Sequence, residues 1–195
     1  NSWRTISFKF KKAGHIQVVS VNEYLKPHMI HKGRGMVVMY ETAAAKAYKA
    51  AFIPYIQEET KKQNFQKIEN TSQHCYVDVG IYFPRKRMDA NNHWKIMLDA
   101  ITESKAVWMD DSQVCERVKF IRYDSKNPRI ELHIHPVDYI GIFDTQKEFD
   151  TFSSRCKSCN RYLDGRCSIL VESCEGRIKE DVVNGECQKY KQRSS

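Results

Sequence analysis

The segment Cys75–Phe83 most constrains the fold, because it alternates strictly for nine residues. Val77, Val79, Ile81 and Phe83 fall on one side of an extended chain, and Tyr76, Asp78 and Tyr82 on the other. Such a run is a sheet strand with one buried face. Pro84 ends it. Beyond the basic triplet Arg85-Lys86-Arg87 and Met88-Asp89-Ala90-Asn91-Asn92, the period changes: Trp94, Met97, Leu98 and Ile101 recur at i, i+3, i+4 and i+7. That spacing predicts an amphipathic helix whose start suits Asp or Asn capping.

The same reasoning extends outward. Ile6, Phe8 and Phe10 alternate with polar residues and predict a first strand. Residues 20–35 are polar and basic and read as a loop leading into a short strand at Met36–Tyr40. Ala44, Ala47, Tyr48, Ala51, Phe52, Tyr55 and Ile56 predict a helix over residues 41–62, with Pro54 expected to kink or split it. Val114–Tyr123 and Arg129–Pro136, joined by Asp124-Ser125-Lys126-Asn127-Pro128, read as a hairpin. Its second strand buries Ile130, Leu132 and Ile134 and leaves His133 and His135 on a polar face, as surface residues rather than ligands. A short helix is expected around residues 146–154.

The expected class is α+β: a small mixed sheet with two main helices over residues 1–140, followed by a small cysteine-rich, metal-stabilised appendix over 141–195. With 195 residues and 41% hydrophobic residues the chain can bury a core. No apolar run approaches a bilayer span, and residue order at the start of the sequence is not that of a secretory signal, so a cytoplasmic protein is expected. The formal charge of +8 is concentrated at the front, where residues 1–40 hold seven Lys/Arg against one Glu. Such a stretch favours a polyanionic partner, since each cation placed at a phosphate releases condensed counterions; a solvated face is the competing reading.

The residues from Arg85 to Val114 carry the chemistry. Asp89, Asn91 and Asp111 offer the hard oxygen donors that Mg²⁺ requires, and a metal so held activates water and neutralises charge at a scissile phosphate. Lys95, one turn into the helix from Asn91, is placed to steady that phosphate or the leaving oxygen. Taken singly, an Asp before a helix is usually an N-cap and a helical Lys usually solvated.

As a composite the motif is far more specific. Arg85-Lys86-Arg87-Met88-Asp89-Ala90-Asn91-Asn92-x-x-Lys95-x-x-x-Asp99-Ala100, followed by Val107-Trp108-Met109-Asp110-Asp111-Ser112-Gln113-Val114, resembles the signature of the RusA family of Holliday junction resolvases. The likeness covers roughly residues 5–136, including the loop with Asn22 and Tyr24. It implies a homodimer that recognises four-way or branched DNA and nicks two strands symmetrically with Mg²⁺ or Mn²⁺, in a bacterium or phage, with no membrane and no small-molecule cofactor. Residue by residue, it places the family's catalytic acids on Asp89, Asn91 and Asp111 and its lysine on Lys95, with Asp110 the preceding acid of the same motif. Asn91 departs from the pattern, keeping one acceptor oxygen but losing a charge. Three accounts stand: a natural variant in which Asn92 or Asp110 shares the ligand role, which is favoured, an engineered inactive form, or a member that binds junctions without cutting them. A nuclease for forks or flaps also fits.

For DNA contact the candidates are Lys26, Lys32 and Arg34 of the basic loop and Arg85, Lys86 and Arg87 beside the acids; these would grip the backbone rather than read sequence. Five of seven cysteines fall between Cys156 and Cys187. Cys156-x-x-Cys159 with two later cysteines resembles a zinc-ribbon-like site, and Cys156, Cys159, Cys167 and Cys187 are the expected Zn²⁺ ligands, leaving Cys174 spare. A structural role is weighed ahead of nucleic-acid or partner binding, with an iron–sulfur cluster a further option.

Overall fold

The computed structural model describes residues 6–11, 24–30, 36–89 and 94–193. The chain divides into two compact units, residues 1–71 with 75–136, and residues 137–195 with Ser72–His74.

The first unit is built on a four-stranded sheet of β1 (Ile6–Lys11), β4 (Cys75–Phe83), β5 (Val114–Tyr123) and β6 (Arg129–Pro136), in the spatial order β1-β6-β4-β5. The remaining strands β2 (Leu25–Ile30) and β3 (Met36–Glu41) form a separate antiparallel ribbon. Helices α1 (Ala43–Lys62) and α2 (Trp94–Ser104) pack on one face of the four-stranded sheet. That face shows Val77, Val79 and Ile81 of β4 beside their register partners Ile134, Leu132 and Ile130 of β6. Against it lie Tyr48, Phe52 and Ile56 of α1 and Ile96, Met97 and Ile101 of α2. At about 25 cal/mol per Å² of buried apolar surface, each such side chain contributes about 1.5–3 kcal/mol before the entropy of ordering it is subtracted.

The opposite face is polar and cross-linked. Asp78 binds Arg117 Nε at 2.6 Å and His135 Nε2 at 3.2 Å. The Arg117 guanidinium lies 3.5 Å from the centre of the Tyr76 ring, and that of Arg129 lies 3.4 Å from the centre of Tyr82. A mixed sheet with one packed and one wet face explains the alternation in β4 and β6, and His133 is exposed as the sequence indicates.

Three expectations are corrected. The strands expected to form a hairpin do not pair: β5 runs parallel to β4, β6 runs antiparallel to β4, and β4 lies between them. Turn chemistry fixes where the chain reverses but not which strands become neighbours. Here the loop after β5 passes the end of β4, where Asp124 N donates to Phe83 O at 2.8 Å, and Asp124 Oδ1 accepts from Asn127 N at 3.0 Å. The unit β4–α2–β5 is instead the strand–helix–strand crossover that parallel pairing requires. Second, residues 25–30 are strand rather than loop. The apolar run of β3 needs a partner, and β2 supplies it from Lys26 through His28; Thr42 N closes the ribbon on Tyr24 O at 3.1 Å. Third, α1 runs unbroken through Pro54, and its buried stripe is Ala45, Tyr48, Lys49, Phe52, Ile56 and Thr60. Ala44, Ala47 and Ala51 are exposed, because the bulky Phe52 and Ile56 decide which way the helix rolls and alanine offers little surface to anchor it.

The second unit contains α3 (Gln146–Cys156), α4 (Ser168–Cys174) and a small ribbon of β7 (Val182–Val183) and β8 (Glu186–Cys187). Its core is a modest cluster of Phe143, Phe152, Cys156 and Ile169.

Candidate active site

Asp110-Asp111-Ser112-Gln113 forms a single 3₁₀ turn that feeds directly into β5. Asp110 is its N-cap: the carboxylate accepts from Ser112 N at 2.9 Å, and bonds from the Ser112 hydroxyl and amide hold its pKa below the usual carboxylate range. Gln113 completes a capping box and is wholly buried. Its Oε1 accepts from Met109 N at 2.9 Å and Asp110 N at 3.1 Å, and its Nε2 donates to Asn70 O at 2.9 Å. Trp108, also fully buried, anchors the approach by donating from Nε1 to Thr102 Oγ1 of α2 at 2.7 Å. The turn is therefore fixed from both sides. Asp110 is committed to holding it, while Asp111 stands exposed.

Asp111 precedes Val114, the register partner of Cys75 at the start of β4. Asp89 is exposed and lies beyond the opposite end of β4 from Asp111, so strand order does not bring these two acids together within one chain, and α2 returns the chain from the end near Asp89 to the end near Asp111. Arg85, Lys86 and Arg87 are exposed in the turn between β4 and Asp89, with Arg87 at φ 63°. Lys95 is exposed on the first turn of α2, with Nζ 3.6 Å from Asp99 Oδ2. Lys26 is exposed on β2. Asn91, Lys32 and Arg34 lie outside the described residues. Among the described residues, no three His, Cys, Asp or Glu side chains already stand at the spacing of a metal site.

Two features escaped sequence reasoning. Glu116, two residues into β5 from Val114, has its pKa raised by burial and by the charge of Asp111. Its position on a strand of mixed polarity gave no cue. The second is a buried polar network beneath α2. Lys49, 5% exposed on α1, binds Glu41 and Glu103, and its Nζ lies 3.1 Å from Tyr24 Oη. Tyr24 Oη in turn donates to Asp99 Oδ2 at 2.6 Å. Burial opposes the charge on Lys49, but the two glutamates outweigh it and raise its pKa. Through Asp99, this network reaches Lys95 and joins the residue pair Tyr24 and Asp99 quoted in the motif. The available signal was Asp99 four residues after Lys95, on the same helical face.

In the second unit the four cysteines singled out by spacing line one cavity of about 370 Å³, together with Phe152, Tyr162, Arg155 and Arg161; Cys174 does not line it. All are free thiols.

No curated protein matches the chain. The family model described as endodeoxyribonuclease RusA matches residues 22–135, which holds the ribbon, both main helices, the Asp89 and Asp110–Asp111 segments and the strands β4 to β6 up to its last residue. The chain belongs to the RusA family of Holliday junction-resolving endodeoxyribonucleases.

Proposed function

We propose that this chain resolves four-way DNA junctions by metal-dependent phosphodiester hydrolysis, acting as a homodimer in a bacterial or phage setting. The observation that carries the reading is the capping box that spends Asp110 and Gln113 on the backbone while leaving Asp111 exposed at the entry to β5. Asp89, Asn91 and Asp111 are the hard oxygen donors proposed for Mg²⁺ or Mn²⁺; since Asp89 and Asp111 lie beyond opposite ends of β4 within one chain, a shared ion would be held by acids from the two subunits of the dimer. The unspent carboxylate of Asp111 fits that role. When bound, such an ion supplies charge neutralisation at the scissile phosphate and an activated water.

The chain's own residues do the rest. Lys95 offers its ammonium to the phosphate or the departing oxygen, and its ion pair with Asp99 keeps it oriented until DNA competes for it. Arg85, Lys86 and Arg87 grip backbone phosphates beside Asp89, and Lys26 adds a cation from the ribbon, with Lys32 and Arg34 assigned the same role from the sequence; recognition follows junction shape. A twofold dimer would place two such sites on a twofold-symmetric junction. The appendix carries structural zinc in this reading.

A second reading, junction binding with weakened cleavage, rests on Asn91 in place of a family aspartate. Binding and cleavage of a labelled four-way junction, compared with linear duplex for the natural chain and for Asp111→Asn, separate the two. The nuclease reading expects junction-selective binding by both proteins and cleavage by the natural chain alone. Binding without cleavage by the natural chain would favour the second reading.

A further inference from the structure

Residues 137–195 lie past the family match and form a unit with few large apolar residues at its centre. A segment this small with so slight a core generally needs disulfides or a metal to hold a unique structure. Disulfides are not what the fold builds, since all five of its cysteines are free thiols.

Three local devices bring four thiols to the lining of one cavity. The end of α3 turns tightly, with Cys159 N donating to Cys156 O at 2.9 Å, so both cysteines of the Cys-x-x-Cys pair face one cavity. Cys159 Sγ accepts from Lys191 N at 3.4 Å, and the C-terminal segment is tied over this turn by Asn160 N to Lys191 O and Arg193 N to Ser158 O, each 2.8 Å. Next, Asp164 and Gly165 adopt φ 48° and 75° in a two-residue reversal closed by reciprocal Leu163–Arg166 bonds, and the residue that follows is Cys167. The β7–β8 ribbon repeats the device: Asn184 and Gly185 at φ 50° and 72° reverse the chain and return Cys187 opposite Val182. Asp-Gly and Asn-Gly are the pairs that tolerate two successive positive φ angles, so both turns are encoded locally. Cys174, at the end of α4, does not line the cavity.

We propose that Cys156, Cys159, Cys167 and Cys187 bind one Zn²⁺ as a tetrathiolate site that completes the fold of the C-terminal unit. Four thiols are a soft donor set, and Glu186, the carboxylate that lines the same cavity, is held by Arg155 at 2.6 Å; such a set selects zinc over the hard cations of the nuclease site. The four thiols line the cavity, and in this proposal metal binding draws them into a tetrahedron and so contributes to the folding of the unit. The assignment does not depend on the nuclease reading.

The test uses the full chain. Metal analysis after dialysis is expected to find one zinc per chain in the natural protein and in Cys174→Ser, and background levels in Cys159→Ser and Cys187→Ser. Cobalt titration of the zinc-stripped natural protein is expected to give thiolate-to-metal charge-transfer bands and the visible bands of a tetrahedral ion, a readout that needs no variant to fold. Absence of those bands, iron with inorganic sulfide in place of zinc, or loss of zinc in Cys174→Ser as complete as in Cys159→Ser would each overturn the assignment. Junction cleavage is not read in this experiment, so a failure here is distinct from a failure of the nuclease reading.

Discussion

Replacing Gln113 by alanine tests whether the turn carrying Asp111 is held as described. The side chain is wholly buried and makes three hydrogen bonds, to Met109 N, Asp110 N and Asn70 O. Met109 and Asp110 are themselves exposed, so the abandoned amides recover some solvation, and each lost bond costs close to its net value of about 1 kcal/mol. The sum is about 3 kcal/mol. With a urea slope of about 2 kcal/mol per molar, the unfolding midpoint falls by about 1.5 M. Trp94 and Trp108 are both buried in the first unit, so tryptophan fluorescence follows its unfolding. Ser112→Ala, an exposed change on the same turn, serves as control and is expected to shift stability by about 0.5 kcal/mol or less. Under conditions where Gln113→Ala is folded, its cleavage should still fall below that of Ser112→Ala, because the turn no longer fixes Asp111. A midpoint unchanged from the natural protein would refute the claim that Gln113 locks the turn.

Other outcomes follow from the same contacts. Lys49→Met should cost about 2 kcal/mol, less than the loss of a fully buried ion-pair partner, because Glu41 and Glu103 retain 30% and 50% of their side-chain exposure and can turn to water; denaturant melts check it. Gly141→Ala should destabilise the C-terminal unit by about 2–4 kcal/mol, since the added Cβ would stand 1.9 Å from Ser173 O at φ +56°, where the Ile142 N–Ser173 O bond of 3.0 Å holds the backbones together; limited proteolysis of residues 137–195 reports it. Acid should weaken the first unit in two stages. Partial desolvation of the otherwise exposed ring, and then the charge of His135, lower the pKa of His133, so the unfolded chain takes up a proton first and stability drops from about pH 6.5 downward. Burial opposes ionisation of Asp78, but Arg117 and His135 overcome it and lower its pKa; its contribution is complete above about pH 4 and is lost as pH falls through the folded value. His133→Asn should remove the upper stage and Arg117→Met shrink the lower, as read by melts across pH. Replacing Arg85, Lys86 and Arg87 by alanine should weaken junction binding and reduce the salt slope by up to about 0.9 per lost phosphate contact, as measured by titration at several salt concentrations.

Much of the fold was legible because local pattern and tertiary environment agree. The alternation of Cys75–Phe83 reports a strand packed on one face, and Trp94, Met97, Leu98 and Ile101 are all buried as their spacing requires. The misreadings have physical causes. Strand adjacency is a long-range property, so the turn at Asp124–Pro128 looked like a hairpin although β4 separates its two strands. The strand–helix–strand order from Cys75 to Tyr123 held the better clue, since a helix of that length between two strands brings the second back parallel to the first. The ribbon strand β2 was hidden because Lys26, Pro27 and His28 interrupt its apolar residues, and pairing with the apolar β3 makes it a strand.

The site was legible in part. The resemblance pointed to Asp111 and Lys95 and the spacing to four tail cysteines; Asp111 and Lys95 are exposed, and the four cysteines line a cavity that Cys174 does not. Gln113 and Lys49 were not legible, because their roles depend on burial against Asn70 O in one case and on Glu41, Glu103 and Tyr24 in the other. A glutamine after two aspartates reads as surface, and a lysine on an amphipathic helix reads as solvated. Tertiary context reverses both.

The central claim, metal-dependent resolution of junctions, is tested most directly with a supercoiled plasmid that extrudes a cruciform, incubated with the natural chain and Mg²⁺ or Mn²⁺, with an EDTA control. The account predicts linear product from paired nicks placed symmetrically across the junction, none with EDTA and none from a plasmid lacking the cruciform. Cleavage that persists in EDTA, or that ignores the cruciform, would contradict it.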